Sequence, residues 1–191
     1  MNNKVTNSSF SLANYFLIAM PSMKDFFFKN SVIYLCEHDA NGAMGIVINK
    51  PSPLVMDLLF DAAKKPTPDR FQGQPVLMGG PVQMDRGFLV HTPAGSWQNS
   101  LLVTNHIALT TSRDIIAGLS NHEEVDKAIA TIGFSQWKAG QLEQELAGNH
   151  WLTVSADMTV LFDLPYEKRY QFALDLLKIN LVNLSSQAVH A

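Results

Sequence analysis

Two β-branched runs, SVIYLCE at 31–37 and GIVIN at 45–49, are joined by a short segment that holds Asn41-Gly42. Asn-Gly is the strongest short-range hairpin signal, because both residues tolerate the positive φ of a tight turn. A chain that begins this way is committed early to antiparallel pairing, which weighs against a doubly wound parallel sheet. Alternation along the first run puts Val32, Tyr34, Cys36 and His38 on one face, and Ile33, Leu35 and Glu37 on the other.

Other elements follow from local pattern. YFLIAM at 15–20 reads as a strand stopped by Pro21. The longer stretch Leu12 to Met20 imitates a signal-peptide core, but only Lys4 precedes it, Asn14 interrupts it and no small-x-small site follows before Pro21, so the expectation is a cytoplasmic chain. Ser52-Pro53 reads as the N-cap and first position of a helix carrying Leu54, Leu58 and Leu59. Residues 64–75, with three prolines, read as a loop. Strands at 76–78 and 87–91 flank the forced turn Gly79-Gly80-Pro81. Residues 92–100 form an irregular segment tacked down by Trp97, and Thr111 with Asp114 caps a short helix from Ile115. Residues 127–134 fit helix or strand, with Gly133 and the β-branched residues favouring strand. A helix over 139–146 ends at Gly148, strands follow at 151–155 and 159–162, and the last helix repeats Tyr166, Tyr170, Leu174 and Leu177. The first seven residues and Ser185–Ala191 read as frayed ends.

Composition narrows the function classes. Charged residues are only 16% of the 191-residue chain, while 47% are hydrophobic. An average globular chain carries about 25% charge, so disorder is excluded and part of the surface is expected to meet a partner. Fourteen Lys and Arg against seventeen Asp and Glu give a net charge of −3. The most basic cluster is only Lys64, Lys65 and Arg70, so direct nucleic-acid binding is not expected. The single cysteine excludes an intramolecular disulfide and suits a reducing compartment.

Chemistry-bearing residues leave alternatives open. Cys36 and His38, with His91 as a third ligand, could hold a soft metal; a buried thiol and a hairpin-end histidine are favoured instead. The same residues permit a nucleophile, Cys36 or Ser112 activated by His38 or His91, although no nucleophile-elbow motif is present. Two softer anion sites are Gly79-Gly80 with Arg86, and the helix start at Thr111-Ser112-Arg113. Glu143 and Glu145 lie two apart on a predicted helix, so they point apart and belong to a solvated face. Trp97, Trp137 and Trp151 read as core anchors rather than a base-stacking platform.

The strings LIAMPSM, SVIYLCEHDANGAMGIVINKP, VLMGGPVQMDRGFLVHTP, LTTSRD, GFSQWKAGQLEQELAGNHWL and ADMTVLFDLPYEKR, in this order, resemble the AlgH/YqgE family of bacterial proteins. The resemblance runs from Phe16 to His190. It implies a single α+β domain over 1–191, ordered from about 10 to 184, with a mixed or antiparallel bifurcated sheet forming a pseudo-barrel among helices. It brings the label of transcriptional regulator, and no catalytic residue, metal or cofactor. The family-matching loops carry His38, Asn49, Gly79, Gly80, Arg86, Gly87, Thr111, Ser112 and Gln141, and the expectation is that they gather into one polar pocket for a small, anionic ligand. The preferred reading is a non-enzymatic cytoplasmic regulatory or binding module, a monomer or weak homodimer, acting through protein or small-ligand contacts. The alternatives are a hydrolase using His38 with Cys36 or Ser112, and a direct DNA-binding regulator.

Overall fold

The early hairpin forms, one residue out of phase with its sequence signal. A computed structural model describes residues 10–188, with side chains through Lys178. In it β1 (Tyr15–Ala19) pairs antiparallel with β2 (Val32–Asp39), which returns as β3 (Gly42–Val47). Asp39 pairs with Gly42, so Ala40-Asn41 form the loop and Gly42 follows it at φ 140°. Gly42 is needed for a second reason: a Cβ there would fall on the Trp137 carbonyl of the neighbouring strand.

Beyond the hairpin come β4 (Pro51–Val55), α1 (Met56–Ala62), β5 (Pro75–Met78), β6 (Val82–Thr92), β7 (Ser100–Leu102), β8 (Ala108–Thr110) and α2 (Ile115–Gly118). The long β9 (Lys127–Lys138), α3 (Gln141–Ala147), β10 (Trp151–Ser155) and α4 (Tyr166–Ala188) complete the chain. Four expectations are corrected. Ser52-Pro53 caps no helix: Ser52 Oγ donates to Val76 O at 2.6 Å as β4 pairs with β5, and the helix starts only at Met56. The Thr111/Asp114 capping box does not form, because Asp114 is itself helical and α2 is a single turn. Residues 159–162 are not a strand. Asp157 Oδ1 accepts the Val160 N–H, turning the chain into one wide helical turn closed by Leu164 N–H to Thr159 O at 2.9 Å. The last helix continues through Ser185 to Ala188 instead of fraying there; residues 1–9 and 189–191 lie outside the described residues.

All ten strands form one sheet, ordered β10-β1-β2-β3-β9-β6-β8-β7, with β5 on β9 and β4 on β5. Among the described residues only β5–β9 is parallel, so this is an α+β fold with a curled, largely antiparallel sheet. Its inner face closes on one cluster including Phe16, Tyr34, Cys36, Leu77, Phe88, Ile129 and Phe134, and α4 covers that cluster through Ala173. The outer face is buried too. Leu17, Ile33, Leu35, Trp137 and Trp151 pack under α3, while Phe60, Phe71, Leu89, Ile115 and Ala130 pack under α1 and α2. Burial on both faces explains why the early strands read as continuous apolar runs.

The sheet forks at β9. Thr131 and Ile132 pair with β5 on one side and with β6 on the other, so residues 79–81 must pass across β9 to connect them. Three glycines make the crossing possible. A Cβ on Gly79 would meet Gly133 O, one on Gly80 would fall on the Phe134 carbonyl, and one on Gly133 would meet Gly80 O. Gly133 also sits at φ 69° and acts as a bulge. Before it Ile129 faces the inner core and Ala130 the outer; after it Phe134 faces inward and Trp137 outward, a reversal of parity.

Gly80→Ala is therefore expected to cost about 3 kcal/mol or more, since rigid backbone must move aside. Gly140→Ala instead places its Cβ at a positive φ, 74°, with nothing within 4 Å of it. It should cost only about 1–2 kcal/mol. Denaturant unfolding of both variants checks the difference, and equal losses would contradict the crossing.

Candidate functional site

The structure disperses the residues that the loops suggested. His38 is nearly sealed, with 7% of its side chain exposed. Its Nδ1 accepts the Leu12 N–H at 2.9 Å, so Nε2 carries the proton and donates to Glu143 Oε1 at 2.8 Å. Asn49 bridges backbone only, accepting from Val32 N–H and donating to Asn30 O, both at 2.8 Å. Gly79 and Gly80 make the crossing. Arg86, Thr111 and Ser112 do come together near β8: Arg86 Nη2 donates to Thr111 Oγ1 at 3.2 Å, and Ser112 Oγ accepts the Asn99 N–H at 3.2 Å. Gln141 starts α3, accepting from Lys138 N–H and donating to Glu145. Of all these residues only Gln141 lines either of the two cavities described below, so neither cavity is their common pocket.

The proposed dyads are not formed either. β2 bulges at Cys36: Leu35 pairs with Gly45 and Glu37 with Met44, leaving Cys36 unpaired. The bulge reverses parity, so Cys36 stays in the inner core while His38 swings to the outer face beside Leu12 and Ala43. Burial pushes the Cys36 thiol well above its ordinary range. His91 is fully buried, its Nδ1 donating to Pro93 O at 2.9 Å and its Nε2 accepting from Thr110 at 2.8 Å, and burial lowers its pKa. Among the described residues no three His, Cys, Asp or Glu side chains gather as a metal site. Glu143 stays on the solvated face, 53% exposed, while holding His38; Glu145 is half-buried, and its Oε2 accepts both indole N–H groups, from Trp137 at 2.9 Å and Trp151 at 2.8 Å. Those two indoles and Glu145 line one wall of a cavity of about 760 Å³ beneath residues 20–28, where Gln141 donates to Glu145.

A second cavity, of about 690 Å³, opens between residues 70–77, the first half of β9 and the turn that leads into α4. Leu77, Ile129, Phe162 and Leu164 supply apolar wall. On its rim Lys127 Nζ pairs with Asp163 Oδ1 at 2.6 Å. Arg70, read from sequence as part of a basic cluster, is committed to the protein. It donates to the carbonyls of Leu119, Val125 and Asp126 at 2.5–2.7 Å and stacks 4.5 Å above the Phe71 ring.

Arg169 is the unusual member. It is 6% exposed. Its Nε donates to Leu164 O at 3.1 Å and its Nη1 to Ile48 O at 2.5 Å, while Nη2 donates to none of the described residues. No carboxylate of the described residues lies within ion-pair distance. Burial lowers its pKa to about 10, with Glu167 nearby acting in the opposite sense, so the guanidinium is charged at neutral pH. Arg169 closes the string ADMTVLFDLPYEKR, and no local motif marks it. Its signal is position: Arg169 lies three residues after Tyr166 and four before Ala173, on the buried stripe of α4, where a cation is unexpected.

Two measurements check these environments. An aromatic disulfide reagent at pH 8 should leave native Cys36 unmodified and titrate one thiol in denaturant; rapid native reaction would contradict its burial. The N–H of its own residue and the His38 ring hold the Glu143 carboxyl below its usual pKa. A depressed folded pKa gives stability that is present above the ordinary carboxylate range and lost as pH falls through the folded value. Glu143→Gln should therefore flatten the loss of stability below about pH 5, measured by denaturant unfolding between pH 7 and 3.

Comparison with other proteins agrees with the geometry. A family model described as AlgH-like matches residues 16–182. A UPF0301 protein from Neisseria meningitidis serogroup C is 55% identical over 181 residues, 95% of this chain and all of that one. One from Chromobacterium violaceum is 50% identical over 184 residues, 96% of this chain and 99% of that one. The solution structure of the AlgH protein from Pseudomonas aeruginosa superimposes with a TM-score of 0.75 at 41% identity, covering both chains fully. The crystal structure of a Corynebacterium diphtheriae protein shares the fold at a TM-score of 0.63 and 22% identity, over 79% of each chain. With this match across the described strands and helices, the chain belongs to the AlgH-like family.

Proposed function

We propose that this protein is a regulatory binding module that works in the cytoplasm through small-molecule or protein contacts, with the cavity beside α4 as its ligand seat. One observation carries the reading: the cavity of about 690 Å³ is walled by apolar side chains and holds a charged, almost fully buried Arg169 with no carboxylate of the described residues within ion-pair distance, Glu167 acting on it only from farther off. Buried polar groups converging on an apolar concavity are what a ligand site requires. The other reactive side chains, Cys36, His38 and His91, spend their bonding capacity inside the fold. The net charge of −3, together with the commitment of Arg70 to backbone carbonyls, favours regulation through a ligand or protein over direct contact with nucleic acid. A lone buried thiol suits a reducing compartment, and among the described residues no helix is long and apolar enough to cross a membrane.

A thermal-shift screen against metabolites and nucleotides tests this. A ligand present at 100 times its dissociation constant should add about 2.7 kcal/mol, which for a domain of this size raises the midpoint by roughly 5–10 °C. Hits should move the nuclear magnetic resonance signals of Leu77, Ile129 and Phe162. A broad library that shifts neither the midpoint nor these signals would overturn the reading.

A further inference from the structure

Resting on that reading, the residues around the cavity also select a class of ligand. Six charged side chains line it: Arg70, Lys127 and Arg169 against Asp126, Asp163 and Glu167. Lys127 is answered by its pair with Asp163, and Arg70, which is only half-buried, donates to three carbonyls with Asp126 close by. Only Arg169 is both buried and without an ion pair, and its Nη2 is the donor left over. A buried charge left unpaired is strongly unfavourable, so a counter-charge delivered by a ligand is stabilising there.

A second feature points the same way. The cavity is lined by Pro165, Tyr166 and Glu167, the opening residues of a 23-residue helix. The leading N–H groups of a helix have no intrahelical partner, and its dipole favours negative charge at that end. The balance also limits how much charge is welcome. Once one negative group sits on Arg169, a second meets Glu167, Asp163 and Asp126 without a free cation. Beyond the guanidinium the wall is apolar, from Leu77, Ile129 and Phe162.

We propose that this cavity is the seat of a small organic carboxylate, its single charge on Arg169 Nη2 at the start of α4 and its apolar body against Leu77, Ile129 and Phe162.

The test uses the full chain at pH 7.5, isotope-labelled, titrated separately with phenylacetate, with neutral phenylacetamide and with inorganic phosphate. The Arg169 Nε–H and the Leu77 and Ile129 methyl signals report the site. Phenylacetate should move all three and bind at least tenfold more tightly than the amide. Arg169→Gln should erase that preference. Because Arg169 also ties α4 to Ile48 O, Glu167→Gln serves as an independent arm. It removes an exposed repelling carboxylate and should tighten phenylacetate about two- to threefold while leaving the amide unchanged. Equal binding of acid and amide at these signals would overturn the carboxylate proposal and leave the ligand seat standing. Phosphate binding more tightly than phenylacetate would overturn the single-charge assignment. Signals unmoved by any of the three probes would also overturn the proposal; the ligand seat itself falls only if the metabolite screen leaves them unmoved as well.

Discussion

The close crossing of two backbones at Gly79, Gly80 and Gly133 is the constraint on which the rest of this fold depends. β9 can hold β5 on one edge and β6 on the other only if the short connection passes over it, and that passage has no room for a β-carbon. The crossing splits β9 into a half that pairs with β6 and a half that pairs with β3. It also reverses which side chains face inward, so the two halves bury their outer faces under different helices. The cavity beside Arg169 follows from this split. Lys127 to Ala130 line it from the half before the fork, while α4 spans the inner core of the whole sheet.

Period-two patterns and turn residues made the strands legible, and helical spacing marked α3 and α4, because those signals are local. Residues whose conformation is decided by a distant partner were misread. Ser52-Pro53 has the chemistry of a helix start, yet pairing with β5 holds it extended. The run at 159–162 differs: its strand composition hid a local signal, Asp157, which caps it into a helical turn. Pairing with a neighbouring strand is again what decides Cys36 and His38. Strict alternation puts them on one face, but a bulge with no sequence marker separates them across the sheet. Asn49 and His38, polar residues at strand ends, each hold two hydrogen bonds. What sequence could not show was that these bonds point into the protein.

Two arginines illustrate how a fold can treat a cation. Arg70 is satisfied by three carbonyls and an aromatic face, so it behaves as a staple between residues 69–71 and the chain that follows α2. Arg169 also donates to two carbonyls, which orient it firmly, but it keeps one nitrogen uncommitted at a cavity. Carbonyl contacts satisfy hydrogen-bonding capacity; they do not neutralise charge. A hydrophobic residue of similar length would therefore serve a purely structural role at lower electrostatic cost.

That asymmetry decides between the readings of the polar residues in this chain. A histidine whose two ring nitrogens are both bonded, or an asparagine bridging two backbones, is fully explained by the strands it holds together. A charge buried beside an apolar cavity is not explained by the packing around it, because packing alone would select against it. Function in a scaffold like this is best sought where the folded chain leaves a strong interaction unmade, and among the described residues Arg169 is the buried charge at which a free donor and a cavity coincide.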